Sequence, residues 1–220
     1  MTVFILKWIA IITMLIDHVG YIYITRFPDY YIFRGIGRIA FPIFVFFIAE
    51  GCFKTKDIRK YMMRLFIFAL ISEFAFDYAF HGTWLYFHYQ NIFFTLFFGA
   101  LSIYSFNYFH EKDKYLRVAF MMPVLMSVAA EFLHTDYGGV GVLLIFFLYY
   151  FHDNFKHQAF VLVLGNIILA FSSHPIQLLG ILTIFPLYFY NGQRGKNAKY
   201  LFYVFYPAHL LILGLMKGVL

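Results

Sequence analysis

The feature that most constrains this chain is an ionisable pair, Asp17–His18, inside the almost wholly apolar run of residues 4–24. An aspartate at the centre of a membrane helix costs roughly 2.5–3.5 kcal/mol, and such residues usually mark a function. On a helix the two side chains stand about 100° apart, so they do not face each other. Each of them therefore needs a partner from another part of the chain.

The composition predicts that this run is one of several membrane spans. Hydrophobic residues make up 63% of the 220 residues and charged residues only 13%, whereas soluble domains carry about 25% charged residues. The positive residues that give the net charge of +6 lie in short loops, which does not indicate a nucleic-acid partner. The single cysteine, Cys52, rules out an intrachain disulfide and a cysteine-based metal site. We expect one integral-membrane domain over residues 1–220, in contact with lipid and without a metal.

Segments of about the length that a bilayer requires recur nine times. They are residues 4–25, 35–53, 61–80, 91–109, 115–133, 138–151, 157–172, 175–190 and 200–219. Lysine and arginine concentrate in alternate loops, namely 54–60, 110–114, 152–156 and 191–199, which is the positive-inside pattern. We therefore predict an all-α, polytopic transmembrane bundle of about nine spans in the cell membrane, with a cytoplasmic amino terminus and an external carboxyl terminus.

This topology places most intramembrane polar side chains between the midplane and the predicted outer surface. The set comprises Asp17, His18, Arg34, Arg38, Glu73, Asp77, Asn91, Thr95, Glu131 and His209, whereas Glu50 lies at the inner end of its span. A shared depth indicates one polar cavity. Pro42 and Pro207 are predicted to kink their helices and to free the carbonyls of Arg38 and Tyr203, although kinks formed for packing alone explain each proline equally well.

Two histidines, His18 and His209, lie deep in the predicted spans. A neutral imidazole acts as a general base when its pKa lies near the working pH and a second group fixes its tautomer; the alternative is a hydrogen bond between two helices. Asp17 needs a cation at its own depth, so we predict an Asp17–Arg38 ion pair, the alternative being an Arg38 side chain that extends to the lipid headgroups. Arg34 shares a helix face with Arg38.

At Asp17-His18, at Gly37-Arg38-x-Ala40-Phe41-Pro42-x-Phe44 and at Tyr206-x-x-His209-Leu210, the sequence resembles the TraX family. More distantly it is similar to the acyltransferase-3 and heparan-glucosaminide acetyltransferase group. TraX proteins are membrane acetyltransferases named for the N-terminal acetylation of conjugative pilin. The resemblance implies acetyl-CoA as the donor and assigns the chemistry to His18, Asp17, Arg38 and His209. Substrate binding is assigned to Arg34, Asn91, Thr95, Tyr137, Tyr206 and Glu50.

A basic set on the predicted cytoplasmic side is assigned to the phosphates of acetyl-CoA, and it consists of Lys54, Lys56, Arg59, Lys60 and Arg64. The positive-inside rule accounts for the same residues without a ligand. A pantetheine arm is on the order of half a bilayer long and would carry the thioester to His18.

The predicted function is acetyl transfer to an amine or hydroxyl of a peptide, glycan or small molecule. His18 is the general base or a transient acyl carrier, Asp17 and Arg38 order the site, and His209 is a second base or an orienting group. One alternative is a proton-coupled transporter that uses the same buried groups, although no inverted repeat is visible. Another is a haem protein with His18 and His209 as axial ligands. The sequence contains no H-E-x-x-H, C-x-x-C, P-loop or G-x-S-x-G motif.

The topology predicts that Lys56 is cytoplasmic and His81 external. Single cysteines placed at these two positions, with Cys52 replaced by serine, should react with a membrane-impermeant thiol reagent from opposite sides of the membrane. Labelling of both from the same side would contradict the topology and every depth inferred from it.

Overall fold

The computed structural model describes residues 1–24, 29–112, 115–196 and 199–217, and within these ranges the protein is all-helical. Its helices are α1 (Val3–Tyr23), α2 (Tyr30–Gly37), α3 (Ala40–Lys54), α4 (Ile58–His81), α5 (Ile92–His110), α6 (Leu116–Phe132), α7 (Gly138–Tyr150), α8 (Phe155–Ser172), a 3₁₀ helix (Pro175–Thr183), α9 (Ile184–Tyr188) and α10 (Lys199–Lys217). The predicted all-α class is therefore confirmed.

Four helical segments of the described chain are long and apolar enough to cross a membrane. They are Val3–Tyr23, Tyr30–Lys54, Ile92–His110 and Phe155–Ser172. Three further apolar segments are shorter, namely Gly138–Tyr150, Pro175–Tyr188 and Tyr203–Lys217. These lengths agree with a membrane protein, while the nine spans and their orientation stay predictions.

The second and eighth predicted spans differ from simple helices. Residues 35–53 were expected to form one helix kinked by Pro42, but the chain breaks at Arg38 and Ile39, between α2 and α3. Pro42 is the third residue of α3, where a backbone N–H would have no helical partner in any case. Pro42 therefore begins a helix rather than kinking one. Residues 175–190 form the 3₁₀ helix followed by the short α9.

The chain divides into two compact units, each built from separate stretches of sequence. Unit 1 contains Met1–Phe44, Ser72–Tyr86 and Leu162–Leu220, and unit 2 contains Val45–Ile71 and Phe87–Val161. In unit 1, α1 packs on α2 and α10, and the 3₁₀ helix packs on α2 and α9. In unit 2, α5, α6 and α7 pack on one another. The predicted single domain stays a prediction.

The side chain of Asp17 lies on the buried face of α1. Thr2 caps the helix by accepting a hydrogen bond from the Ile5 N–H, which satisfies one of the free donors at a helix start. Leu6, Ala10 and Asp17 are buried on one helical stripe, since side chains about three or four residues apart share a face. Asp17 consequently continues the buried apolar stripe of α1.

The 3₁₀ helix packs on the backbone at the break between α2 and α3. Its nine residues exceed the usual run of three or four, and His174 caps it by accepting from the Ile176 N–H at 3.1 Å. Thr183 donates its hydroxyl to the Ile39 carbonyl at 3.1 Å. Gly180 lies against the Asn166 side chain, with no room for a Cβ between them. These contacts hold Arg38 and Ile39 in place.

We predict that Gly180→Ala destabilises the protein. The added methyl group would overlap the Asn166 side-chain oxygen and lie 3.3 Å from the Arg38 carbonyl oxygen, and overpacking of this kind costs about 1–3 kcal/mol. Thermal unfolding in detergent measures the loss. Leu182→Ala is the matched control, because Leu182 is on the same helix and 58% exposed. Equal melting temperatures for Gly180→Ala and the parent would contradict this packing.

Candidate functional site

In unit 1 the Asp17 carboxylate lies between two guanidinium groups. Arg34 Nη1 lies 2.6 Å from Asp17 Oδ2, and Arg38 Nη2 lies 2.6 Å from Asp17 Oδ1. Asp17 and Arg38 are each only 6% exposed. Charge-assisted hydrogen bonds of this length are about twice as strong as neutral ones. The structure thus contains the expected Asp17–Arg38 pair and adds Arg34 as a second partner.

The sequence around the end of α2 explains why these three residues meet. Arg34 and Arg38 are four residues apart, and Arg38 Nε donates to the Arg34 carbonyl at 3.1 Å. Arg38 Nη1 also lies 3.4 Å from Gln177 Oε1 of the 3₁₀ helix. Gly37 is buried against Asp17, and a Cβ there would overlap the Asp17 side chain. Glycine at position 37 therefore permits the close approach of α1 and α2.

His18 is hydrogen-bonded to His209 of α10. His18 Nδ1 lies 2.7 Å from His209 Nε2, and His209 Nδ1 lies 2.7 Å from the Phe205 carbonyl oxygen. A carbonyl only accepts, so His209 Nδ1 carries the hydrogen. In two neutral rings, His209 Nε2 is then the acceptor and His18 Nδ1 the donor. This assignment leaves a lone pair on His18 Nε2, for which the described residues supply no hydrogen bond.

Aromatic rings surround the imidazole pair. The His18 and His209 rings are parallel, with centroids 5.0 Å apart. Phe80 meets His18 edge-on at 5.3 Å, and Tyr206 lies 6.3 Å from it. Tyr206, predicted as a substrate-binding residue, is itself buried. His18 is half-buried beside these rings.

Asp17 and His18 therefore have separate partners, as their positions on the helix predicted. Asp17 binds the two arginines, whereas the group that fixes the tautomer of His18 is His209. Within the described ranges no group of three or more His, Cys, Asp or Glu side chains is placed to hold a metal ion. Adjacent residues of α1 thus connect a buried charged cluster, through Asp17, and a hydrogen-bonded histidine pair, through His18.

Comparison with known proteins identifies the family of this chain. The model of the family described as TraX protein matches residues 3–217. The chain belongs to the TraX family. Among its TraX-like relatives, the probable fimbrial assembly protein FimC, serogroup H1, of Dichelobacter nodosus is 29% identical over 232 residues, which cover 94% of this chain and 92% of that protein. No solved structure is significantly similar to the chain.

Four of the substrate-binding residues predicted for this TraX protein lie in unit 2, and three of them are at or near the starts of α5 and α7. Asn91 caps α5 by accepting from the Phe93 N–H at 2.9 Å and donates to the Ala69 carbonyl at 2.8 Å. The Thr95 hydroxyl lies 2.9 Å from that of Thr135. Tyr137 precedes α7 with a left-handed φ of 63°. Asn91 and Thr95 are fully buried, so these contacts already give them a structural role, and their role in binding stays a prediction.

Glu50, also in unit 2, is bound by a lysine and a histidine. Lys54 Nζ lies 2.6 Å from one carboxylate oxygen, as the neighbouring lysine suggested, and His152 Nε2 lies 2.8 Å from the other. The His152 ring stacks on Phe53 with centroids 3.7 Å apart. Sequence reasoning missed His152 because it placed that residue in a loop, 102 positions from Glu50.

Several residues of the basic set assigned to acetyl-CoA already contact other side chains of unit 2. Lys60 Nζ lies 3.4 Å from Asp57, and the Lys60 backbone N–H, by donating to that carboxyl, holds the pKa of Asp57 below its usual value. Arg59 donates to the Tyr104 hydroxyl at 3.1 Å. The Arg64 guanidinium lies 5.6 Å from the Tyr61 ring centroid, while Lys56 is exposed. Glu50 and Asp57 thus offset part of the positive charge of this set.

The buried ion pair predicts a coupled loss of stability. Asp17→Asn leaves two cations without their carboxylate, and Arg38→Gln leaves Asp17 with Arg34 alone; breaking a buried pair costs about 3–5 kcal/mol. In the double variant the charges of Asp17 and Arg38 are both removed and one cation, Arg34, is left without its carboxylate instead of two, so the combined loss should be smaller than the sum. Thermal unfolding of the four proteins in one detergent forms the double-mutant cycle. Strict additivity would contradict the pairing.

Proposed function

We propose that this TraX protein is a membrane-embedded acetyltransferase that moves an acetyl group from acetyl-CoA to an amine or hydroxyl acceptor. The observation that carries the proposal is the hydrogen bond from His18 Nδ1 to His209 Nε2, because it leaves the Nε2 lone pair of His18 as a base. Membership of the TraX family supports acetyl-CoA as the donor. The similarity to a probable fimbrial assembly protein supports an acceptor peptide, such as a pilus subunit.

His18 acts as the general base in the transfer step. Its Nε2 takes the proton of the acceptor N–H or O–H while the acceptor atom attacks the thioester carbonyl carbon. The carbon–sulfur bond then breaks, and the imidazolium returns the proton to the departing CoA sulfur. His209 accepts from His18 Nδ1 throughout, so it holds the tautomer and spreads the positive charge that His18 gains. This is the orienting role that a carboxylate plays in a serine protease triad.

The ion-paired cluster of Asp17, Arg34 and Arg38 positions the base and does not itself transfer protons. Asp17 joins α1 to the end of α2 through Arg34 and Arg38, and His18 is the next residue of α1. The aromatic rings of Phe80 and Tyr206 limit the access of water, which protects a thioester from hydrolysis. The site therefore favours transfer to the acceptor over transfer to water.

The proposal places acetyl-CoA on the cytoplasmic side and the protein in the cytoplasmic membrane. The exposed Lys56 and the partly engaged Lys54, Arg59, Lys60 and Arg64 form the positive surface for its phosphates.

We predict that His18→Ala lowers the rate of acetyl transfer by about 10²–10⁴-fold, because a general base typically contributes that much. Binding of acetyl-CoA should change little, since its nucleotide is held elsewhere. Single-turnover transfer and acetyl-CoA binding are measured on the same purified variant. Transfer at the parent rate would show that His18 is only a hydrogen-bonding residue.

Variants of His209 test the tautomer directly. His209→Gln retains an acceptor for the His18 Nδ1–H, whereas His209→Phe removes it. We expect His209→Gln to keep more activity than His209→Phe, and both to lose less than His18→Ala. The pH dependence of the single-turnover rate should differ between the two variants, because the tautomer is fixed in only one. Identical rates and pH profiles would contradict the orienting role of His209.

A further inference from the structure

The ion-paired cluster of unit 1 has one more positive charge than negative charges. Asp17 contributes one negative charge, and Arg34 and Arg38 contribute one positive charge each. Arg38 alone would neutralise Asp17. A second cation in a poorly solvated place is costly unless an anion accompanies it. Among the described residues, the ion pair of Arg34 is with Asp17 only, so the charge balance leaves room for an external anion.

Arg34 and Arg38 differ in their exposure and in how their side chains are hydrogen-bonded. The Arg38 side chain is 7% exposed and is fixed by Asp17, the Arg34 carbonyl and Gln177. The Arg34 side chain is 20% exposed and is bound through Nη1 to Asp17. In the described part of the chain, Nε and Nη2 of Arg34 have no hydrogen-bond partner. A guanidinium presents its donors as a planar fork that suits a carboxylate or a phosphate.

Aromatic rings connect Arg34 to the base. The Arg34 guanidinium lies 5.0 Å from the Tyr21 ring centroid and 6.0 Å from that of Tyr30. Tyr21 lies 5.2 Å from Phe80, and Phe80 lies 5.3 Å from His18. Contacts with ring faces orient a guanidinium. A continuous aromatic wall thus runs from His18 to Arg34, with a base at one end and a cation at the other.

We propose that Arg34 binds an anionic group, a carboxylate or a phosphate, of the acceptor, while the nucleophilic atom of the same molecule lies at His18 Nε2. The inference rests on the proposed acetyl transfer and narrows its acceptors to amines or alcohols that carry a nearby negative charge. Arg38 positions Asp17 and the helix break, and Arg34 determines specificity.

Product-like probes test this binding without knowledge of the natural acceptor. N-acetylglycine carries a carboxylate, N-acetylphosphoethanolamine carries a phosphate, and N-acetylglycinamide is neutral. Thermal unfolding at increasing probe concentration gives an affinity for the parent, Arg34→Gln, Arg34→Lys and the control Arg117→Gln, which changes an exposed arginine of α6. Stabilisation by only one anionic probe identifies which of the two groups the site takes.

We expect an anionic probe to stabilise the parent and Arg117→Gln, and the neutral probe to stabilise neither. Arg34→Gln should bind the anionic probe about 10- to 100-fold more weakly, the usual effect of losing a hydrogen bond to a charged group. Arg34→Lys should be intermediate, since it keeps the charge and loses the fork. It also keeps a cation beside Asp17, so it serves as the test should Arg34→Gln fail to fold.

Three results would overturn the inference: no stabilisation of the parent by either anion, equal stabilisation by the neutral amide, or unchanged binding in both Arg34 variants. Acetyl transfer by the parent is measured separately. If the parent transfers acetyl groups but does not prefer anionic acceptors, the proposed role of Arg34 is refuted and the proposed acetyl transfer is not. If the parent transfers no acetyl groups, the proposed function itself is refuted.

Discussion

The structure of unit 1 depends on one buried carboxylate. Asp17 lies on the apolar stripe of α1, where an uncompensated charge would be strongly unfavourable. Its two oxygens are each bound by a different arginine from the end of α2. The need to bring both arginines to Asp17 accounts for the glycine at position 37, which allows the close approach of α1 and α2. It also accounts for the 3₁₀ helix, whose Gln177 binds Arg38 and whose Thr183 binds the Ile39 carbonyl. The helix break is thus part of the ion-pair site.

The adjacency of Asp17 and His18 gives the two side chains different partners. Because neighbouring residues on a helix point in different directions, the two arginines bind Asp17 and His209 binds His18. A carboxylate partner would hold His18 more strongly as an imidazolium. A neutral histidine partner does so less, which agrees with the uncharged resting imidazole that the proposed general base requires. Asp17 of the charged cluster and His18 of the histidine pair are adjacent residues of α1 and so keep a fixed relation.

Sequence reasoning succeeded where residue type and the length of apolar segments decide the outcome, and failed where backbone geometry decides it. The all-α class and the Asp17–Arg38 pair followed from apolar length and from the cost of a lone charge. The break at Arg38 and Ile39 did not follow, because Pro42 is compatible with either a kink or a new helix start. The i, i+4 spacing placed Arg34 beside Arg38 but did not give its ion pair with Asp17. The pairing of Glu50 with His152 depends on a contact between distant segments, which no local pattern indicates.

Mass spectrometry of envelope fractions tests the central claim most directly. Cells with the parent protein, cells without it and cells with His18→Ala are compared for molecules that differ by the mass of one acetyl group. The account predicts an acetylated species that is present with the parent and absent or strongly reduced in the other two. Identical acetylation in all three fractions, with the variant present at the parent level, would contradict an acetyltransferase that uses His18 as its base.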